Sequence, residues 1–84
     1  MAKTPEPAGL VLYVREGCCL CEHFLVELSV DLGPAFEQLA VVDVDRDAEL
    51  ATLFGLRVPV LAVHGEVLCE GVYDGARVRG ALGV

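Results

Sequence analysis

Apolar residues along the chain repeat in two ways, which predict a buried strand followed by an amphipathic helix. The continuous apolar run Leu10–Val14 is typical of a buried strand. The residues after it place an apolar side chain at every fourth position, as the buried face of a helix does. These positions are Leu20, Phe24, Leu28 and Leu32. The pattern predicts a helix over Cys19–Leu32, with Gly33 and Pro34 as its stop signal.

The second half of the chain predicts three more strands and two more helices. The strand segments are 39–44, 58–63 and 66–70, and a two-residue His-Gly turn joins the last two. Asp47 is a suitable N-cap for a short helix that Gly55 closes. Asp74 caps a last helix whose inward side chains are Val78 and Leu82. The predicted order is βαβαββα, with parallel pairing in the first half and an antiparallel hairpin at one edge.

Composition limits the chain to one small domain and excludes several kinds of partner. With 84 residues, of which 55% are hydrophobic, we expect one compact core. The net charge of −7 and the scattered basic residues argue against nucleic acid or a membrane surface as partner. No apolar run reaches the roughly 18 residues of a membrane span, and no signal-peptide core is present. We expect a cytoplasmic monomer, with a tail at 1–8 and a folded domain at 9–84.

Three of the four cysteines lie within four positions, and this crowding indicates chemistry rather than a secreted disulfide framework. Cys18 and Cys21 stand three residues apart at the predicted start of a helix, where unpaired N–H groups favour a thiolate. Two thiols at this spacing can form and break one disulfide, as in redox sites. Cys19 projects away from Cys21, so we expect it to be exposed or half-buried and not to be the resolving thiol. Cys69 is expected to be a packed residue of an edge strand.

The residues around the motif predict different roles for its two thiols. Cys18, at the helix N-cap, is the expected nucleophile, with Arg15 as a nearby cation. Cys21, one turn into the helix, is expected to be more buried and to resolve the mixed disulfide. Glu16 and Glu22 add negative charge beside the site, which opposes a lower thiol pKa. We therefore expect only a modest shift of the Cys18 pKa.

The order of elements and four local features resemble the thioredoxin superfamily, and specifically its glutaredoxin branch. These features are Arg15, the Cys18 and Cys21 pair, the Val58-Pro59 dipeptide, and the glycine turn at 71–74. Leu12 replaces the acid that thioredoxins bury before their first thiol, which favours glutaredoxin. Cys19-Leu20 and Glu70 depart from the usual glutaredoxin residues, so the likeness is strongest to small glutaredoxin-like proteins.

The resemblance implies a thioredoxin-like α/β fold, in which three helices flank a four-stranded mixed sheet. It implies a cis bond before Pro59, with the Val58 backbone turned toward the thiols to pair with an extended substrate. For glutathione, Arg15 would bind the glycyl carboxylate, while Asp74 and its neighbouring N–H groups would bind the γ-glutamyl end. Because Glu70 and the net charge of −7 repel this anion, we expect only millimolar affinity.

The expected activity is the reduction of a disulfide in a protein or in glutathione by the Cys18 and Cys21 pair. It requires no cofactor and no metal, although glutathione is an optional co-substrate that Cys19 could also take up. Two other functions stay open. One is a binding module, in which Cys18, Cys19, Cys21 and His23 hold a soft metal, although zinc closure by such neighbours is awkward, or in which two chains with glutathione bridge an iron–sulfur cluster, as the resemblance to glutaredoxins implies. The other is a thioredoxin-like domain that binds partners without catalysis.

Overall fold

A computed structural model describes residues 9–82 of the chain, which form four strands and three α-helices in the predicted order. The strands are β1 (Leu10–Val14), β2 (Ala40–Asp43), β3 (Val60–Val63) and β4 (Glu66–Glu70). The helices are α1 (Cys19–Leu32), α2 (Ala48–Phe54) and α3 (Gly75–Leu82). None of these described helices has the length and apolarity needed to cross a membrane. The predicted tail at 1–8 and the last two residues of the predicted domain lie outside the described residues.

The strands make one mixed sheet in the order β2-β1-β3-β4, which confirms the predicted α/β fold class. β1 is parallel to β2, whereas β3 is antiparallel to both β1 and β4. As a result, β1, β2 and β4 end where β3 begins, at one end of the sheet. We call this the thiol end, because the chain leaves β1 there toward α1. It comprises the connecting segments 15–18, 44–47, 55–59 and 71–74.

The core lies between the sheet and the pair α1 and α3. Leu12 at the centre of the sheet, Phe24 and Leu28 on α1, and Val78 on α3 are all at most 1% exposed. Apolar burial of this kind contributes about 25 cal/mol for each Å² removed from water, so it dominates the stability of a small domain. α1 is therefore held by its inner face against the strand that leads to the thiols.

The buried face of α1 begins at Cys21, and the prediction that Leu20 lies on it is wrong. Cys21 is 4% exposed, whereas Leu20 is 54% exposed. The helical repeat explains the difference. Seven residues fall about 20° short of two full turns, but eight residues overshoot them by about 80°. Counted back from the fully buried Leu28, position 21 therefore stays on the inner face and position 20 rotates out of it.

Two strands are shorter than predicted because neighbouring residues leave the extended conformation. β2 ends at Asp43, whose carboxylate accepts the Asp45 N–H at 2.9 Å and starts a 3₁₀ turn over Val44–Arg46. β3 begins after Pro59, which has no N–H to offer a neighbouring strand. The peptide bond before Pro59 is cis, as the family resemblance implies.

Replacing Leu28 by alanine should lower the free energy of unfolding by about 2–5 kcal/mol, because it leaves a cavity in the core. Replacing Leu20 by alanine removes the same group from the same helix and should cost less than about 1 kcal/mol, because that side chain is half in solvent. Urea unfolding of both oxidised variants measures the difference. Equal losses would show that Leu20 belongs to the core.

Candidate active site

Both thiols of the predicted pair stand at the start of α1. Cys18 is the N-cap residue, with an extended backbone, and its Sγ accepts the N–H of Cys21 at 3.1 Å. Cys18 is half-buried, whereas Cys21 is buried on the inner face of the helix. An attacking group from solvent therefore reaches Cys18 before Cys21.

Cys18 and Cys21 form a disulfide, which is the pairing that their spacing predicts. Their Cα atoms are 5.2 Å apart, inside the range that a disulfide spans. Cys19 and Cys69 are free thiols, the first exposed and the second half-buried. Cys69 packs at the border of the core on the edge strand β4, and its burial raises the pKa of its thiol. The predicted placement of both free thiols is confirmed.

Arg15, the cation predicted beside Cys18, is bound to a carboxylate elsewhere in the thiol end. Its guanidinium donates from Nη2 to Asp45 at 2.9 Å and from Nε at 3.1 Å, while Nη1 donates to the Gly55 carbonyl at 2.9 Å. The hydrogen bond to Asp45 raises the pKa of Arg15 and lowers that of Asp45. The positive charge of Arg15 is thus matched internally, so it supports a Cys18 thiolate less than the sequence predicted.

Arg57 forms a second pair of the same kind, which sequence reasoning missed. It donates to Glu70 from Nη2 at 2.6 Å and from Nε at 3.1 Å, and it lies over the Phe54 ring at 5.2 Å. This hydrogen bonding raises the pKa of Arg57 and lowers that of Glu70. Glu70, which the sequence predicted to repel glutathione, therefore has its charge matched by Arg57. The register of the hairpin could have revealed this pair. In it Glu70 lies opposite Val60, and Val60 follows Arg57 by three residues.

The Val58 backbone, which was expected to pair with an extended substrate, has one of its two polar groups left for that role. Its N–H donates to the Phe54 carbonyl at 3.0 Å, so this donor is already used inside the protein. The Val58 carbonyl has no hydrogen-bond partner among the described residues. Pro59 is fully buried, and its carbonyl accepts the Gly71 N–H at 2.8 Å. Pro59 thus links the segments 55–59 and 71–74 of the thiol end, and its own side chain is not exposed to a substrate.

A shallow groove of about 150 Å³ runs between α1 and the turn that precedes α3. Leu20 and Val72 line it and are 54% and 77% exposed, so they form its apolar rim. Asp74 closes the turn, because its Oδ1 accepts the Arg77 N–H at 3.1 Å, as predicted for a helix cap. The groove therefore lies directly beside the first turn of α1, which carries the thiols.

Tyr73 links this turn to the middle of α1. Its hydroxyl donates to Asp31 Oδ2 at 2.7 Å, and Arg79 Nη1 donates to the same oxygen at 3.0 Å. The ring meets Phe24 edge to face, with 5.1 Å between centroids. Burial and the Asp31 carboxylate raise the pKa of Tyr73 well above its ordinary value of about 10. These contacts fix the wall of the groove against the helix that carries the thiols.

The described part of the chain contains no group of three or more His, Cys, Asp or Glu side chains placed to hold one metal ion. The soft-metal hypothesis needs the clustered thiols and His23 to bind the same metal ion. Here Cys18 and Cys21 are bonded to each other, while Cys19 and His23 face solvent. The arrangement is therefore suited to thiol exchange, in which one sulfur is accessible and its partner is buried.

Comparison with known proteins gives a family and two similar structures. Residues 9–83 match the glutaredoxin-like domain (DUF836). A protein from Nitrosomonas europaea, solved by solution NMR, is 38% identical over 98% of each chain, with a TM-score of 0.74. A protein from X. campestris, solved by X-ray methods, is 35% identical, with a TM-score of 0.69. That alignment covers 88% of this chain and 95% of the other.

More distant structures share the fold. The holo form of glutaredoxin C1 from Populus tremula x tremuloides is 16% identical, with a TM-score of 0.55 over 92% of this chain and 78% of the other. The chain has no significant match among curated proteins. The comparisons thus support the thioredoxin-like fold and name no substrate.

The phenol of Tyr73 should titrate well above pH 10, whereas an ordinary tyrosine titrates near that value. The folded state holds this proton more tightly, so its contribution to stability is complete below about pH 10 and is lost as the pH rises toward the folded pKa. Ultraviolet absorbance of phenolate, compared between the wild type and Tyr73→Phe, isolates this group. Asp31→Asn should lower the titration midpoint. A Tyr73 midpoint near 10 in the wild type would contradict the buried hydrogen bond.

Proposed function

The chain belongs to the glutaredoxin-like family, and we propose that it is a thiol–disulfide oxidoreductase whose reacting groups are Cys18 and Cys21. The observation that carries the proposal is the Cys18–Cys21 disulfide at the N-terminus of α1, in which Cys18 is half-buried and Cys21 is buried. A disulfide with only a structural role would not need one cysteine to be more exposed to solvent than the other. The substrate is a disulfide in a protein or in glutathione, as the sequence predicts.

The reduced pair acts in two exchange steps. The Cys18 thiolate attacks one sulfur of the substrate disulfide, which breaks the substrate bond and releases one substrate thiolate. The Cys21 thiol then loses its proton and attacks the Cys18 sulfur, which releases the second substrate sulfur as a thiol. Two electrons and the Cys21 proton pass from the protein to the substrate, the first substrate thiolate takes its proton from solvent, and the Cys18–Cys21 disulfide forms. A reduced thiol donor recycles the pair by the reverse exchange.

The N-terminus of α1 is the main support for a Cys18 thiolate. The first turn presents N–H groups that carry part of the helix dipole, about half a positive charge. One of them, the Cys21 N–H, already points at the Cys18 sulfur. Arg15 adds little, because Asp45 matches its charge. Glu16 and Glu22 oppose the thiolate, so we propose a Cys18 pKa only modestly below that of a free cysteine.

The surroundings of this activity follow from its chemistry. A disulfide reductase needs a compartment that keeps its thiols reduced, so we propose that it acts in the cytoplasm. The exchange steps need no metal and no bound cofactor. The net charge of −7 disfavours nucleic acid and anionic membranes as partners. We propose that the protein works as a monomer, since a single chain supplies both thiols.

Replacing Cys18 by serine should abolish disulfide reduction, because it removes the attacking sulfur. Replacing Cys21 by serine should leave the first step intact and trap a mixed disulfide between Cys18 and the substrate. Mass spectrometry of the reaction products detects that adduct. Cys19→Ser, one position from the attacking thiol, is the matched control and should keep its activity within about twofold of the wild type.

Two results would contradict these assignments. A mixed disulfide on Cys19 in the Cys21→Ser variant would mean that the wrong thiol has been named as nucleophile. Full activity of Cys18→Ser with a model protein disulfide would show that the pair is not the reacting centre.

A further inference from the structure

We propose that the reduced thiol pair prefers disulfides in positively charged polypeptide segments and reacts slowly with glutathione disulfide. This inference rests on the proposed oxidoreductase function and names its substrate class. The preference follows from the distribution of charged side chains at the thiol end. The two arginines that flank the site are neutralised internally, and unpaired carboxylates border the accessible sulfur.

Each of the two arginines is bound by a carboxylate through two nitrogens. Arg15 meets Asp45, and Arg57 meets Glu70, with shortest distances of 2.9 and 2.6 Å. Arg15 Nη1 also donates a hydrogen bond to the Gly55 carbonyl. A substrate carboxylate that approaches either guanidinium meets a carboxylate already in place, which repels it. Arg15, the cation that the sequence predicted for the glycyl carboxylate of glutathione, is therefore already matched, and Arg57 offers no free replacement.

The charges that remain at the thiol end and in the residues bordering it are mostly negative. Outside the two pairs, the thiol end and the four residues on either side of each segment carry Glu16, Glu22, Asp43, Asp47, Glu49 and Asp74, against Arg46 and Arg77. Glu16 precedes Cys18 by two residues and Glu22 lies in the first turn of α1; both are exposed, and neither forms an ion pair with a described residue. Their field attracts cations and repels anions near the attacking sulfur.

Exposed apolar side chains at the same end favour a polypeptide over a small thiol. Leu20 and Val72 form the apolar rim of the groove beside the thiols, and Leu56, in the segment before Pro59, is 99% exposed. The groove has room for one side chain, and the free Val58 carbonyl can accept a backbone N–H. Glutathione has no bulky apolar side chain to place there. The occupant that fits is an extended basic segment that carries a disulfide.

The test uses the full chain, reduced beforehand and freed of reductant, in a single turnover with three probes. The probes are glutathione disulfide and two synthetic cyclic disulfide peptides, which differ only in flanking lysines or flanking glutamates. Each rate is divided by the rate of dithiothreitol with the same probe, because flanking charges also change the intrinsic reactivity of a disulfide. Acid quenching, alkylation and mass spectrometry follow the loss of the Cys18 and Cys21 thiols.

We expect the basic peptide to react about tenfold or more faster than the acidic peptide and glutathione disulfide at about 10 mM salt. The preference should shrink to about twofold at about 1 M salt, because the screening length falls from about 30 Å to about 3 Å. Equal normalised rates at low salt would overturn the inference and leave the proposed function standing. Reduction of none of the probes would show that the proposed function itself is wrong.

Charge variants test the stated residues. Glu16→Gln with Glu22→Gln should reduce the preference for the basic peptide about threefold or more. The matched control, Glu37→Gln with Glu66→Gln, removes two exposed carboxylates near the opposite end of the sheet and should leave the preference unchanged. Asp45→Asn with Glu70→Gln frees both arginines and should raise the rate with glutathione disulfide about two- to fivefold. An equal loss of preference in the control pair would contradict the local origin of the effect.

Discussion

The packing of α1 against the centre of the sheet determines where both thiols stand. Leu12 on β1 and Phe24 and Leu28 on α1 are almost completely buried together. Their contact fixes the rotation of α1, which turns Cys21 inward and leaves Cys18 at the N-cap. Gly17 lets the chain reach this position, because its φ of 79° is a left-handed conformation that other residues adopt at a cost. The reactive geometry is thus a consequence of core packing.

The same packing sets the electrostatics of the site. Arg15 and Arg57 are each matched by a carboxylate, whereas the first turn of α1 directs an N–H group at the Cys18 sulfur. A thiolate there gains from the helix, while a substrate approaching from solvent meets Glu16 and Glu22. In the reaction that we propose, activation of the nucleophile and choice of substrate therefore have separate origins. The first depends on backbone dipoles and the second on surface side chains.

Sequence reasoning predicted what depends on local pattern and missed what depends on tertiary contact. The bounds of α1, the Asp47 and Asp74 caps and the order of helices and strands along the chain follow from periodicity and turn chemistry, and all are confirmed. Leu20 was misplaced because a strict spacing of four drifts off the helical face. The partner of Arg15 lies 30 residues away and is defined only once β1 and β2 pair in parallel. The use of the Val58 N–H by Phe54 likewise depends on how α2 ends.

The central claim is that Cys18 and Cys21 form a reversible redox couple rather than a structural brace. Equilibrating the protein in a series of thiol–disulfide redox buffers that span about −150 to −330 mV, then alkylating and mapping each cysteine, tests it directly. We predict that both thiols convert together in a two-electron transition between about −180 and −270 mV, while Cys19 and Cys69 stay alkylatable throughout. A midpoint below about −300 mV, typical of structural disulfides, or a dominant bridge that includes Cys19 or Cys69, would contradict the account.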